Sequence, residues 1–160
     1  MVNNNTLRIY RGLPYSLLLI CIQILFFQTS ILAQKVETGI DVLQKTNYSF
    51  LTGKKIGIIT NPTGVNQYLE STIDLLHACN DVDVKVLFSP EHGIRGDHAA
   101  GEKVETYTDK KTGIQVYSLY GRQQKPNAKM LKGLDAIVYD IQDIGVRSYT
   151  YISSMGLLME

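Results

Sequence analysis

Two of the side chains best suited to chemistry stand next to each other in the middle of the sequence. Glu91 and His92 follow a proline and precede Gly93, directly after a run of apolar residues. A carboxyl group at the rim of a pocket serves as a general acid when loss of solvent raises its pKa, and an adjacent imidazole can orient it. The pattern makes Glu91 and His92 candidate catalytic residues. On residue types alone, a helix N-cap or surface carboxylate and a hydrogen-bonded loop histidine are the more ordinary interpretations.

Two arginines could bind an anionic group of a substrate. Arg95 and Arg147 each offer the planar fork of donors that pairs with a carboxylate in a bidentate manner. A structural ion pair to Asp97, Asp140 or Asp143 is an equally good interpretation of either arginine. The spacing leaves both roles open.

A metal site is a further chemistry that residues 91–98 allow. Glu91, His92, Asp97 and His98 carry oxygen and nitrogen donors of the kind that zinc binds. The spacing of the two histidines matches no helical zinc-protease motif, and a loop does not dictate which side chains meet. We therefore expect no metal and no other cofactor, and keep a metal-dependent hydrolase using His92, Asp97 and His98 as an alternative.

The segments around these residues alternate between strand-like and helix-like patterns. Strands are predicted at 56–60, 82–88, 114–119 and 136–140, helices at 41–46, 71–79, 127–131 and 149–159, and no regular element at 91–113. This order is typical of an α/β, Rossmann-like fold, a mostly parallel sheet flanked by helices. Ligands of such sheets bind beyond the carboxyl ends of the strands. The polar stretches 60–64, 89–97 and 140–149 should therefore converge on one rim.

Charge, cysteine content and missing motifs exclude several classes of protein. The net charge of +1, from 16 basic and 15 acidic residues, argues against a nucleic-acid binder, and two cysteines cannot build a disulfide-dense scaffold. No glycine-rich dinucleotide or phosphate-binding motif follows the first strand, so a nucleotide cofactor is not indicated. A serine-hydrolase elbow is also missing.

Residues 1–33 have the layout of a secretory signal peptide. Arg8 and Arg11 precede an apolar run at 17–27, and Ala33 offers a small residue for cleavage. The run is shorter than the ~20 residues of a membrane-spanning helix, so no permanent membrane anchor is expected. We predict an exported, periplasmic or extracellular protein whose domain occupies 34–160. That domain looks truncated, because Glu160 falls inside a helical pattern.

Four ordered motifs, at 39–43, 57–64, 89–96 and 139–151, resemble the NamZ-like family of exo-acting β-N-acetylmuramidases. The resemblance implies a Rossmann-like N-terminal domain, a second α/β domain missing from this chain, and an active site in the cleft between them. It implies release of N-acetylmuramic acid from the non-reducing end of peptidoglycan fragments, with Glu91 as the catalytic glutamate. The implied pocket positions are Asn61, His92, Arg95, Asp140, Gln142, Asp143, Arg147 and Tyr149.

Glycoside hydrolysis needs a second group besides the acid, and the resemblance leaves its identity open. The candidates are Asp143, which we favour, Asp140, and a residue of the missing second domain, while the N-acetyl group of the sugar assists in some glycosidases. Arg95 or Arg147 would suit the lactyl carboxylate of muramic acid. A non-catalytic domain that binds peptidoglycan-derived sugars is the alternative from another functional class.

Overall fold

The computed structural model describes residues 36–99, 102 and 105–160, together with five helical positions nearer the N-terminus, Tyr15, Leu19, Ile20, Ile22 and Gln23. The chain divides into two compact units, Met1–Val36 and Glu37–Glu160. Apart from those five positions, the signal peptide predicted at 1–33 lies outside the described residues. Within the described part, no helix has both the length and the apolar character that crossing a bilayer requires.

The second unit is built on one sheet of five strands. The strands are β1 (Lys55–Thr60), β2 (Asp83–Ser89), β3 (Tyr107–Thr108), β4 (Gln115–Ser118) and β5 (Ala136–Asp140). Their order across the sheet is β3-β4-β2-β1-β5. β1 runs parallel to both β2 and β5, and β4 runs parallel to β2. The predicted α/β, Rossmann-like, mostly parallel sheet is confirmed.

The short strand β3 corrects the expectation of an irregular segment at 91–113. It pairs antiparallel with β4, opposing Tyr107 to Val116 and Thr108 to Gln115. A tight turn joins the two strands, in which the Gly113 amide donates to the Asp109 carbonyl oxygen at 2.8 Å. Two residues are too few to show an alternating pattern, so the sequence alone does not indicate this hairpin.

Four helices, α1 (Gly39–Lys45), α2 (Thr72–Ala78), α3 (Ala128–Leu131) and α4 (Tyr151–Met159), accompany the sheet. Local side chains determine where two of them begin. Thr38 and Asp41 form a capping box at the start of α1, and the Asn127 side chain accepts from the Lys129 and Met130 amides at the start of α3. These caps supply partners for amides that the helices themselves leave unbonded.

Two apolar clusters cover the two faces of the sheet. Ile56 and Ile58 of β1 belong to the cluster beneath α1 and α2, whereas Ile59 belongs to the cluster beneath α3 and α4. Successive side chains of a strand point to opposite faces, so β1 is buried on both. This three-layer arrangement leaves the carboxyl edge of the sheet as the place where loops and polar side chains meet.

Candidate active site

The carboxyl ends of β1 and β5 are tied together where the loops that follow them begin. The Thr60 hydroxyl donates to the Asp140 carbonyl oxygen at 2.6 Å, and the Gln142 amide donates to Thr63 Oγ1 at 2.9 Å. A Cβ at Gly64 would overlap Thr60 Oγ1 and would lie 2.7 Å from the Asp140 carbonyl oxygen. This part of the rim is therefore packed, with no room for a side chain at Gly64.

Asn61, implied as a pocket residue, uses its side chain to shape its own turn. It is buried, and its Oδ1 accepts from the Thr63 amide at 2.9 Å and from the Thr63 hydroxyl at 2.6 Å. A side chain that bonds to the backbone two residues ahead stabilises such a turn in place of a regular element. The side-chain oxygen of Asn61 is thus engaged by the turn.

Glu91 lies where two cavities adjoin. The first, of about 220 Å³, is lined by Glu91, His92 and residues 148–151. The second, of about 270 Å³, is lined by Glu91, by residues 119–121 after β4, and by side chains of α4. Each is smaller than the ~300–1,000 Å³ typical of sites for drug-sized ligands. Glu91 can therefore meet a small polar ligand, or one part of a larger ligand, from either side.

Tyr120 stands beside Glu91 and was not singled out from the sequence as a site residue. A side-chain hydrogen bond to Glu91 is the main reason that the pKa of Tyr120 is raised above its usual value, and the charge of Glu91 adds to the effect. Tyr120 follows the end of β4, where its amide donates to Ser118 Oγ at 3.3 Å. Its place just beyond a strand end was the signal that could have identified it.

The loop after β2 has a left-handed backbone at three positions. The φ angles are 73° at His92, 81° at Gly93 and 74° at Gly96. This conformation costs a residue other than glycine about 1–3 kcal/mol, and such residues cluster at functional sites. A Cβ at Gly93 would lie 2.7 Å from Asp97 Oδ1 and 2.8 Å from His98 Cδ2. The loop therefore requires glycine at position 93 and tolerates backbone strain at His92.

Arg95 is engaged by two carboxylates. Its Nε and Nη2 donate to the two oxygens of Asp109, each at 2.8 Å, and its Nη2 also donates to Asp74 Oδ1 at 2.9 Å. The hydrogen bond from Arg95 holds the pKa of Asp109 well below its usual range, although burial opposes it. The ion pair foreseen for this arginine exists, but its partners are Asp74 and Asp109 rather than Asp97, Asp140 or Asp143.

Asp140 lies away from the two cavities that Glu91 lines. Its carboxylate accepts a short hydrogen bond from the Thr72 hydroxyl at the start of α2. Burial raises the pKa of Asp140, and the bond from Thr72 opposes that shift. The residue borders a separate cavity of about 450 Å³ between α1 and β5. Its side chain therefore joins strand β5 to helix α2.

The segment between β5 and α4 carries four further predicted residues, Gln142, Asp143, Arg147 and Tyr149, all exposed. Asp143 Oδ1 accepts from the Gly145 amide at 2.7 Å. Burial first, and then the charge of Asp143, raises the pKa of Tyr139 to about 12. The Tyr139 hydroxyl donates to the Tyr151 carbonyl oxygen at 2.8 Å, which connects strand β5 to the wall of the smaller Glu91 cavity.

Three of the nine predicted site residues line one cavity, namely Glu91, His92 and Tyr149. The other six, Asn61, Arg95, Asp140, Gln142, Asp143 and Arg147, line neither of the two cavities at Glu91. Within the described residues, no three side chains of His, Cys, Asp or Glu are grouped so that they could hold a metal ion. His92, Asp97 and His98 are accordingly not gathered into a set of ligands.

Comparison with known proteins finds a match over most of the folded unit. Residues 56–160 match the family described as "Exo-beta-N-acetylmuramidase NamZ, N-terminal". The chain is 52% identical over 126 residues to the peptidoglycan beta-N-acetylmuramidase NamZ of Bacillus subtilis (strain 168), covering 79% of this chain and 30% of that protein.

Two crystal structures of DUF1343 family proteins from Bacteroides fragilis NCTC 9343 share the fold. One is 54% identical with a TM-score of 0.70, covering 77% of this chain and 30% of its own. The other is 35% identical with a TM-score of 0.63, covering 79% of this chain and 31% of its own. The chain thus spans less than a third of the length of these relatives.

Proposed function

The chain belongs to the family of the NamZ N-terminal domain, a family of peptidoglycan-acting glycosidases, and from that membership we propose an exo-acting β-N-acetylmuramidase. In this proposal the protein releases N-acetylmuramic acid from the non-reducing end of peptidoglycan fragments, with Glu91 as the acid that protonates the leaving oxygen. The observation that carries the proposal is the position of Glu91 between two cavities beyond the carboxyl end of β2. General acid catalysis of this kind contributes about 10²–10⁴-fold to a rate.

Asp143 is the proposed second group of the reaction. A retaining glycosidase needs a nucleophile and an inverting one a base, and both roles suit an ionised carboxylate. Asp143 is exposed, and its charge helps to raise the pKa of Tyr139. The Tyr139 hydroxyl is in turn hydrogen-bonded to Tyr151, which lines the smaller Glu91 cavity. Asp140 is the weaker choice because its carboxylate is turned to Thr72. The N-acetyl group of the sugar is a further source of assistance.

Tyr149, His92 and Arg147 are the proposed contacts of the sugar. Tyr149 is 47% exposed and lines the smaller cavity beside Glu91, where its ring can pack against the apolar face of a pyranose. His92, on the same wall, offers a ring nitrogen to a hydroxyl group. Arg147 is exposed and suits the lactyl carboxylate, since a guanidinium binds carboxylates bidentately.

The proposed place of action is outside the cytoplasm. The substrate is a polymer of the cell wall, and the composition of residues 1–33 is that of a secretory signal peptide. The proposed cleavage follows Ala33, leaving residues 34–160 as the mature segment. N-terminal sequencing of the exported protein tests this directly, and a retained Met1 would contradict it.

The decisive experiment replaces Glu91 by glutamine and measures hydrolysis of a chromogenic β-N-acetylmuramide. We expect kcat to fall by about 10²–10⁴-fold, because glutamine keeps the shape of the side chain but cannot donate an acidic proton. Binding of free N-acetylmuramic acid, measured by calorimetry, should change little. Glu105→Gln is the matched control, as an exposed glutamate outside both cavities, and should retain full activity.

Two other outcomes would redirect the assignment. If Glu91→Gln hydrolyses the muramide as fast as the natural sequence does, Glu91 is not the acid. If the natural chain binds the sugar but hydrolyses nothing, the sugar-binding domain becomes the better description. The second outcome has a structural reason to be taken seriously, since the chain spans only 30% of the Bacillus subtilis relative.

A further inference from the structure

The loop that carries Glu91 is anchored at three consecutive residues. Ile94 is 2% exposed and belongs to the apolar cluster beneath α1 and α2. Gly96 packs against the ring of Pro62, so closely that a Cβ would lie 2.8 Å from Pro62 Cγ. Between them Arg95 is fixed by Asp74 and Asp109. The conformation of the loop therefore depends on contacts made three to five residues beyond Glu91.

The arginine anchor is itself held in place. The Asp109 side chain is 4% exposed, and the Thr112 hydroxyl and amide donate to its Oδ2 at 2.7 and 3.2 Å. Both Asp109 oxygens also accept from Arg95, in the bidentate arrangement that is strongest for this pair. The hydrogen bonds from Thr112 thus orient the Asp109 carboxylate so that it can accept both donors of the Arg95 guanidinium.

Charge balance argues against a role for Arg95 in binding an anionic sugar. The cluster of Asp74, Arg95, Asp109 and Lys111 contains two cations and two carboxylates, with Lys111 Nζ 2.7 Å from Asp74 Oδ2. It therefore has no surplus positive charge to attract a carboxylate. Drawing Arg95 away would leave the Asp109 carboxylate buried without its counter-ion, which is strongly unfavourable.

We propose that Arg95 is a positioning residue, which fixes the loop that presents Glu91 and takes no part in binding the lactyl carboxylate. The role rests on the proposed function in so far as Glu91 is the group being positioned. Arg95 borders a cavity with Asp97 and residues 107–111, separate from both cavities at Glu91. Its effect on hydrolysis is consequently indirect, through the backbone of the loop.

The test compares Arg95→Gln, Asp109→Asn and the double variant by two measurements on the full chain. The first is amide hydrogen exchange of residues 91–98, which reports the order of the loop whether or not the chain hydrolyses anything. The second is kcat and KM with the chromogenic muramide and with the matching glucosaminide, which lacks the lactyl carboxylate. Arg95→Lys serves as the conservative variant. Lys111→Ala, on the exposed side of the same cluster, is the control.

In both single variants we expect amide hydrogen exchange in the loop to be about tenfold faster or more, and kcat to fall by about 10–10²-fold, because a displacement of about 1 Å can cost a rate this much. KM should stay within about twofold of its value in the natural sequence. The double variant should be no worse than the poorer single variant, since the two residues make one contact. Arg95→Lys should recover part of the loss, and Lys111→Ala should match the natural sequence.

Two results would overturn the proposal. If Arg95→Gln raises KM at least tenfold for the muramide and not for the glucosaminide, while Asp109→Asn and loop exchange are unchanged, Arg95 binds the substrate carboxylate. If neither sugar is hydrolysed by the natural chain but loop exchange follows the expectation, the anchor is supported and the proposed function fails. Unchanged exchange in both single variants rejects the anchor irrespective of activity.

Discussion

A hydrogen bond to the Glu91 side chain raises the pKa of its neighbour Tyr120. The hydrogen bond between the two side chains favours the neutral hydroxyl, because an ionised tyrosine would face a carboxylate. The charge of Asp143 also raises the pKa of Tyr139, although burial is the larger cause there. These two tyrosines therefore report on the two carboxylates proposed to carry out the reaction.

Neutralising each carboxylate should lower the pKa of its own tyrosine and leave the other unchanged. Glu91→Gln is expected to return the pKa of Tyr120 towards its usual value, and Asp143→Asn to lower that of Tyr139 from about 12. Titration of ¹³C-labelled tyrosine rings by NMR measures both, and each variant is the control for the other. A Tyr120 titration unaffected by Glu91→Gln would show that the two groups do not interact in solution.

Single residues also show where sequence reasoning stops. The residue types made Glu91 a candidate, because a carboxyl after a strand and a proline is a position that chemistry uses, and the resemblance to the NamZ-like family implied its catalytic role. They could not decide the role of Arg95, since the carboxylates that bind it are 14 and 21 positions away and no local pattern marks them. Tyr120 was passed over because tyrosine is frequent in this chain and its proximity to Glu91 arises only from the neighbouring strands β2 and β4.

At the scale of elements, the junction between β1 and β5 depends on one glycine. The space beside Gly64 is filled by the Thr60 hydroxyl and the Asp140 carbonyl oxygen, which are hydrogen-bonded to each other. A methyl group there must displace one of them and weaken the contact between strand ends that support the site.

Gly64→Ala should therefore destabilise the protein by about 1–3 kcal/mol. Gly156→Ala is the matched control, because nothing lies within 4 Å of a Cβ in that helical position. It should be neutral or should stabilise α4 by up to about 1 kcal/mol. Urea unfolding followed by circular dichroism compares the two, and equal stability of both variants would show that the rim relaxes easily.

Elements with strong local patterns were predictable, and those without were not. β1 and β5 stand within one residue of their predicted limits, since both are short apolar runs bounded by turns. The hairpin of β3 and β4 depends on pairing across the sheet edge, and β3 is too short to leave a periodic trace. The helix predicted from 149 begins at Tyr151, since boundaries are set by capping and packing beyond the pattern.

For the whole molecule, the stability at acidic pH should depend on two carboxyl groups whose pKa values folding shifts in opposite directions, Asp109 and Asp140. The pKa of Asp109 is lowered by Arg95, so the folded protein holds its proton less tightly than the unfolded chain does. Its contribution to stability is present above a pH of about 4 and is lost as the pH falls below that value. The pKa of Asp140 is raised by burial, so its contribution has the opposite sign and is lost as the pH rises.

Asp109→Asn should flatten the loss of stability on acidification below about pH 4, whereas Asp140→Asn should steepen that loss above about pH 4, where the folded protein holds the Asp140 proton more tightly than the unfolded chain does. Asp109→Asn should also cost about 3–5 kcal/mol at neutral pH, because it breaks a largely buried ion pair. Unfolding free energies between pH 2.5 and 7 in urea measure both slopes. A steeper acid dependence in Asp109→Asn would mean that its carboxyl is not paired with Arg95 in solution.

The two edges of the sheet differ in a way that matters beyond this unit. Within the described residues, one edge is the two-residue β3, too short to offer more than a few backbone groups, and the other is the five-residue β5. A backbone ladder of that length is a template for another strand. The β5 edge is therefore the better place for an additional strand to pair with the sheet. A further strand, from this polypeptide or from another, would find more backbone groups to pair with beside β5 than beside β3.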